Sequence, residues 1–440
     1  MGTVLRNTLG VVGLVAATGA QAQVAPDGLN WRLGLAVEHS DNMARRPAAV
    51  SDTVVAPTLA FAYLKEGARG EFEAAGSASY RRYQQGRFDD ETLQQIGLNG
   101  RWVLAPERLS WALQSVVTDQ PVNPFGVDAP DNRQRTQVFV TGPTLALRPA
   151  TNLRLLGELR FMDTDAERTP EFDGQRTAAA ARLLYQRSPV SALSGEVESI
   201  DAQFDRAGVA PDYRRDNAFL RYARMGARGE WNADVGYSQV RFDDVVAGLS
   251  RDESLPMVRV RVAQALTDIT RLEVDVQRGF GDSVEDLLDG APRAADYALP
   301  IGRTAIRDTT LSSDLFEQTG GRLGLSHRSQ ATYFRIDGRW RRQEYLRATG
   351  LDQTIRGFVV SANRQVRATF SLGAQAGVEW RRFGTIDRRD RDSRIALVAN
   401  WQTSRRTGLS VELSHGERSS TEAQQVFDDN RALVIFNLVR

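Results

Sequence analysis

Apolar and polar residues alternate with a period of two along almost the whole chain. In residues 334–341, Phe334, Ile336, Gly338 and Trp340 share one face, while Arg335, Asp337, Arg339 and Arg341 share the other. Residues 370–381 set Phe370, Leu372, Ala374, Ala376, Val378 and Trp380 against Ser371, Gly373, Gln375, Gly377, Glu379 and Arg381. The stretches 29–38 and 95–104 behave in the same way. A strand turns successive side chains to opposite faces, so this pattern predicts strands with one apolar face and one charged or small face. A soluble sandwich would alternate too, and strand length separates the two cases. The pattern divides into roughly twenty segments of about 11–15 residues. Soluble strands run to about 5–6 residues, whereas a tilted membrane-crossing strand needs about 9–11.

The connections sharpen the prediction. Short ones (Gly67-Ala68, Pro106-Glu107-Arg108, Ala150-Thr151, Ser188-Pro189, Ala227-Arg228) alternate with long polar ones such as 40–52, 121–134, 164–173, 243–253 and 282–311. Tight turns at one end and long loops at the other are the layout of an outer-membrane barrel. The expected fold is therefore all-β: a single antiparallel up-and-down transmembrane barrel of about 20 strands (roughly 18–20), with short periplasmic turns and long extracellular loops. It fills residues 23–440. Residues 1–22 read as a signal peptide, with Arg6 before an apolar run from Thr8 to Gly19 and Ala20-Gln21-Ala22 as the cleavage site. No plug or periplasmic module is expected before the first strand.

Aromatic placement agrees. Trp31, Trp102, Trp111, Trp231 and Trp401 fall at the periplasmic ends of the segments, and Trp340 and Trp380 at the outer ends. Tyr80, Tyr83, Phe161, Phe242, Tyr345 and Phe383 are expected to join the outer group. Two aromatic girdles around an apolar band are what the bilayer interfaces select.

Composition changes the picture only where it excludes. The 440 residues carry 56 Lys+Arg, 55 Asp+Glu, three His and no Cys. A mean hydropathy of −0.38 suits a soluble protein and hides the lipid-facing half of each strand. Balanced charge argues against a nucleic-acid partner. Without Cys there is no disulfide, thiolate metal site or lipid-anchoring Cys. His39, His327 and His415 sit on separate strands with no nucleophile motif beside them, so neither an enzyme nor a cofactor is expected. The acidic run from Asp387 to Asp392 and the pair Asp428-Asp429 lack an oxygen-ligand loop pattern, and no metal site is expected there.

The inward face supplies the candidate site. Arg101, Arg154, Glu158, Arg160, Arg259, Arg261, Glu273, Asp275, Arg335, Asp337, Arg339, Arg341, Glu379 and Arg381 are expected to line the lumen. They suit a hydrated path for a solute or polymer, with Arg335, Arg339 and Arg341 attracting anionic sugars. For any single residue, the better-supported expectation is a cross-strand ion pair that holds the wall. The longest connection, 282–311, is acidic and either folds inward as a constriction or stands as a plain extracellular loop.

Several short motifs carry a resemblance. The first strand ends in Ser40-Asp41-Asn42, and Asp52-Thr53-Val54-Val55-Ala56-Pro57 opens the second. Tyr80-Arg81-Arg82-Tyr83, Asp89-Asp90 and Ala105-Pro106-Glu107-Arg108 follow. In these the chain resembles the porin-2-like outer-membrane β-barrels associated with exopolysaccharide and PEP-CTERM (exosortase) systems. The resemblance implies an exit port for a secreted exopolysaccharide, partnered by a periplasmic polysaccharide-export protein. The residues themselves leave a diffusion porin, general or substrate-selective, and a structural or surface-binding barrel open. In each case the expected location is the Gram-negative outer membrane, among its lipids and lipopolysaccharide.

Overall fold

A computed structural model describes residues 28–206, 211–243, 251–294 and 310–439. The expected signal peptide lies outside the described residues. The first ten strands are β1 (Gly28–Ser40), β2 (Asp52–Gly67), β3 (Gly70–Tyr83), β4 (Glu91–Ala105), β5 (Leu109–Pro121), β6 (Arg133–Ala150), β7 (Leu153–Ala166), β8 (Gly174–Ser188), β9 (Ser191–Phe204) and β10 (Tyr213–Gly226). Next come β11 (Gly229–Phe242), β12 (Asp252–Ala265), β13 (Thr270–Gly281), β14 (Phe316–Arg328) and β15 (Thr332–Tyr345). The last five are β16 (Gln353–Arg367), β17 (Phe370–Phe383), β18 (Arg389–Gln402), β19 (Thr407–Ser420) and β20 (Phe427–Val439). An α-helix, α1 (Ser283–Asp289), follows β13.

Each strand pairs antiparallel with its predecessor, and β20 returns to β1 from Arg32↔Val439 to Ser40↔Arg431. The sheet is thus closed, which leaves no edge of unpaired N–H and C=O groups to face lipid. Turns of two to four residues join the strands at one end, and connections of five or more at the other. This is the predicted closed twenty-strand up-and-down barrel. β14 begins only at Phe316, because Leu315 belongs to the loop and is buried in an apolar cluster there.

The alternation sorts as expected, but inside out relative to a soluble protein. On β17 the apolar residues Leu372 and Trp380 are exposed on the outside, whereas Ser371 and Phe383 are buried within. All seven Trp take the outward parity of their strands, and Trp102 and Trp111 are direct cross-strand partners. Trp401 is the register partner of Phe370, and Trp380 lies ten residues further along β17 (380 − 370). At about 3.3 Å per residue and a tilt of about 40°, ten residues rise about 25 Å, the height of an outer-membrane apolar band.

Four aromatic residues depart from the expected outer girdle. Tyr83, Phe242, Tyr345 and Phe383 are each at most 5% exposed. They take the inward parity, one residue off the outward Tyr80 and Phe161, and pack beneath loops folded over the mouth. Position near a strand end had placed them in the girdle; parity places them inside.

Candidate functional site

The connection from β13 to β14 folds into the barrel. Asp282 caps α1 by accepting the Glu285 backbone N–H at 2.9 Å. Val284 and Leu287, on one face of the helix, are each 1% exposed. They pack with Leu311 against Val138, Val140, Ala166 and Phe172, on or beside the inner wall of β6 and β7. Beyond the helix, the Ala294 N–H donates to the Glu73 carboxylate at 2.8 Å. Ala294 itself packs on Ala60, Ala62 and Ala75 of β2 and β3. In a ring of twenty, β3 stands ten strands from β13 in either direction, so the chain crosses the full lumen. Twenty strands at about 4.8 Å spacing and 40° tilt enclose a backbone diameter of roughly 40 Å. From Gly281 to Ala294, seven helical steps and six others reach at most about 30 Å, and the hydrogen bond from Ala294 to the Glu73 side chain extends this toward the opposite wall. Gly97 on β4 lets the crossing chain approach the wall, since a Cβ there would collide with the Pro292 carbonyl. We call this segment the strap.

Its root is fixed by charge. Arg176 of β8 holds Asp282 at 3.0 Å, Arg215 of β10 stands 3.8 Å from the same carboxylate, and Arg215 also pairs with Glu285. Burial pushes the Asp282 carboxyl up, and the Arg176 and Arg215 guanidiniums more than reverse this, leaving it below the usual carboxylate range. The free face of α1 is acidic and meets a basic wall. Asp286 lies 3.5 Å from Arg341, yet burial holds its carboxyl above the ordinary value, with Asp282 adding to the rise. Asp289 is exposed in the lumen, with the wall around it. That enclosure and the neighbouring Asp286 push it up to about 6, against the pull of Arg261, Arg259 and Arg293.

A second device closes part of the mouth. Eight alternating charges form a closed ring: Arg45–Asp128, Asp128–Arg133, Arg133–Glu91, Glu91–Arg81, Arg81–Glu38, Glu38–Arg431, Arg431–Asp429 and Asp429–Arg45, at 2.6–3.4 Å. It fastens loops 41–51 and 122–132 to β1, β3, β4, β6 and β20, across the seam where the barrel closes. Loop 122–132 also reaches β17, where Phe125 meets Phe383 edge-on at 5.3 Å. Sequence reasoning missed this ring. Its trace in the sequence is charged residues of inward parity clustered at the outer strand ends, such as Glu38, Glu91 and Arg431.

The fourteen expected lumen residues all take the inward parity of their strands, and most are engaged with partners. Arg101 pairs with Glu71 at 2.9 Å, Arg160 with Glu158 at 3.1 Å and Arg261 with Asp275 at 2.8 Å. Arg335 bridges Glu273 at 2.8 Å and Asp337 at 2.6 Å. Arg339 and Arg381 share Glu379, and Arg341 serves the strap. The expected anion-attracting trio Arg335, Arg339 and Arg341 is therefore committed to carboxylates. Arg154 and Arg259 have no carboxylate within ion-pair distance among the described residues. The Arg259 guanidinium lies 3.3 Å from the Met257 sulfur, on the wall that faces Asp289. What remains is an acidic helix opposed to the arginines of β12 and β15. Such opposition directs a field across the bore.

No family model matches the chain, and no curated protein matches it. Among solved structures, the FrpB iron transporter from Neisseria meningitidis superposes with a TM-score of 0.48 at 8% identity, covering 94% of this chain and 82% of that one. The copper transporter OprC gives 0.46 at 10% identity, covering 94% and 81%. OpdK of Pseudomonas aeruginosa, solved with vanillate, gives 0.39 at 12% identity, covering 94% and 99%. Likeness at this level concerns the barrel fold alone.

Proposed function

We propose that the protein is an outer-membrane channel for hydrophilic solutes whose bore is set by the strap. The observation that carries this reading is the crossing itself: a segment rooted at Asp282 and tied to Glu73 on the opposite wall. An unobstructed barrel of this width would pass most solutes, whereas a crossed one selects by size and by response to the transverse field. Paired wall charges give a polar lining without strong net attraction for either sign. On export, residues 1–22 are removed as a signal peptide, and N-terminal sequencing of the membrane-inserted protein checks this.

The test is electrical. Purified protein in planar bilayers is expected to show discrete conductance steps, and replacing residues 283–311 with a short Gly-Ser linker is expected to enlarge them. Folded barrels that conduct neither with nor without the strap would refute the channel reading. A second reading, exit of an exopolysaccharide handed on by a periplasmic export protein, draws on the motif resemblance. It favours a strap that leaves the lumen, because a docked helix about 10–12 Å across narrows the bore that a hydrated polymer must thread. A deletion strain that secretes normal polysaccharide would exclude it without touching the channel reading.

A further inference from the structure

The outer rim carries a charged patch on the lipid side that the channel does not use. Trp340, Arg356, Trp380 and Arg391 are register partners in one row across β15 to β18. In the row above, Arg382 is the partner of Arg389. All four arginines are exposed and take the outward parity of their strands. Among the described residues, Arg356, Arg382 and Arg391 have no carboxylate within ion-pair distance, and Arg389 has only the exposed Asp387 at 3.9 Å. Nearby Arg342 is paired with Glu344 at 2.6 Å.

Height identifies what this patch meets. Trp380 marks the top of the apolar band, about 25 Å above Trp401, and one row higher adds about 5 Å. Arg356 and Arg391 therefore sit at the hydrocarbon boundary, and Arg382 and Arg389 at headgroup level. Below them Phe358, Leu323 and Ile395 are exposed to acyl chains. The basic character is local. At the outward rim of β7 to β12 stand Asp163, Asp165, Asp201, Asp216 and Asp252, with Arg214 and Arg241 each already paired to one of them. On β19 and β20 the outward rim carries Glu417 and Asp428. Desolvating unpaired guanidiniums beside lipid is unfavourable unless an anion meets them, and phosphate suits their planar fork.

We propose that β15 to β18 form a binding site for the phosphorylated headgroup of an outer-leaflet glycolipid of the lipid A type, with Arg356, Arg382, Arg389 and Arg391 on its phosphates and Trp340 and Trp380 flanking its sugar–acyl junction. The three unpaired arginines fall within about two strand spacings, roughly 10 Å, so a single headgroup spans them. The site would anchor one face of the barrel to the outer leaflet while the acidic sectors stay free of anionic lipid.

The test uses full-length protein, delipidated and refolded in zwitterionic detergent. Diphosphorylated lipid A is titrated against wild type, the triple variant Arg356→Gln/Arg382→Gln/Arg391→Gln, and the control Arg214→Gln/Arg241→Gln, with native mass spectrometry counting bound lipid. Heat-modifiable gel mobility confirms that each variant is folded, and the single variant Arg382→Gln stands in if the triple fails to fold. Wild type and control are expected to retain lipid equally, the triple variant at least tenfold more weakly, and Arg382→Gln in between. Equal retention by the arginine variants and wild type overturns the proposal. So does equal retention of dephosphorylated lipid A, or displacement of the lipid by millimolar inorganic phosphate, which would point to a generic anion patch.

Discussion

Leu287 is the side chain through which the strap is best interrogated, because its contacts are apolar and its removal leaves every strand pairing intact. It is 1% exposed and packed among Val138, Val140, Phe172, Val284 and Leu311. Truncating such a residue to Ala removes its transfer energy and leaves a cavity, together about 2–5 kcal/mol. That penalty falls on the docked strap and not on the barrel, since α1 shares no ladder hydrogen bond with the wall. At about 1.4 kcal/mol per tenfold, the undocked population rises between roughly 30-fold and several thousand-fold. Leu287→Met conserves volume and is expected to cost under about 1.5 kcal/mol, so its effect stays below about tenfold. Single-channel recording should show Leu287→Ala visiting a larger conductance level that wild type rarely occupies, with Leu287→Met between them. Limited proteolysis within 290–311 should rise in the same order, while heat-modifiable mobility stays that of wild type. If Leu287→Ala frees the strap to protease yet leaves the conductance levels and their occupancies unchanged, the strap does not set the bore.

Three further outcomes follow from the same geometry. Because the carboxyls of Asp286 and Asp289 lie above their ordinary values, they favour the docked strap in acid, and this support is lost as pH rises through the folded pKa, about 6 for Asp289. Conductance recorded from pH 5 to 8 should therefore increase upward through about 6, with a smaller rise in Asp289→Asn; a fall with pH would refute the assignment. Gly97→Leu should collide with the Pro292 carbonyl and release the far end of the strap while Leu287 stays docked. The expected reading is an enlarged conductance with unchanged protection of α1 in hydrogen exchange. Arg133→Met breaks the mouth ring at two carboxylates, Glu91 and Asp128. Leaving buried charge unpaired costs up to about 3–5 kcal/mol, tempered here by the partial exposure of Asp128. Loops 41–51 and 122–132 should then be cleaved at lower protease concentration, and equal resistance would show that the ring is dispensable.

The barrel was legible because its cause is local. Lipid outside and water inside impose a period of two on every strand, and Phe334 through Arg341 display it within eight residues. Turns such as Gly67-Ala68 and Ser188-Pro189 are legible to within a residue because connections of two to four residues leave little room for error. The strap was legible only as a choice between two states, since what docks it is scattered: Val138 and Val140 on β6, Ala60 and Ala62 on β2, Ala75 on β3 and Gly97 on β4. Each is a small or apolar residue at an inward position where water would favour a polar one. That local breach of the polar-inside pattern is the signal that could have located the docking track. The girdle error has the same root. Distance from a strand end was applied to Tyr83, Phe242, Tyr345 and Phe383, where parity decides.

Charge balance takes on a specific meaning once partners are known. A sequence with 56 cationic and 55 anionic side chains could carry separated fields or short-range pairs. Here β12 to β17 tie Arg261 to Asp275, Arg335 to Glu273 and Asp337, and Arg339 and Arg381 to Glu379. Such pairs cancel within a few ångströms and contribute little to the potential at the middle of a wide bore. On the channel reading, the field that a solute meets comes from places where pairing is incomplete, among them Asp289 on the strap, Arg259 opposite it, Arg154 on β7 and Glu198 on β9. If the protein is a channel, the strap and β12 bring Asp289 and Arg259 to face each other, and neutralising Arg259 should shift ion preference more than neutralising any one arginine of the paired wall.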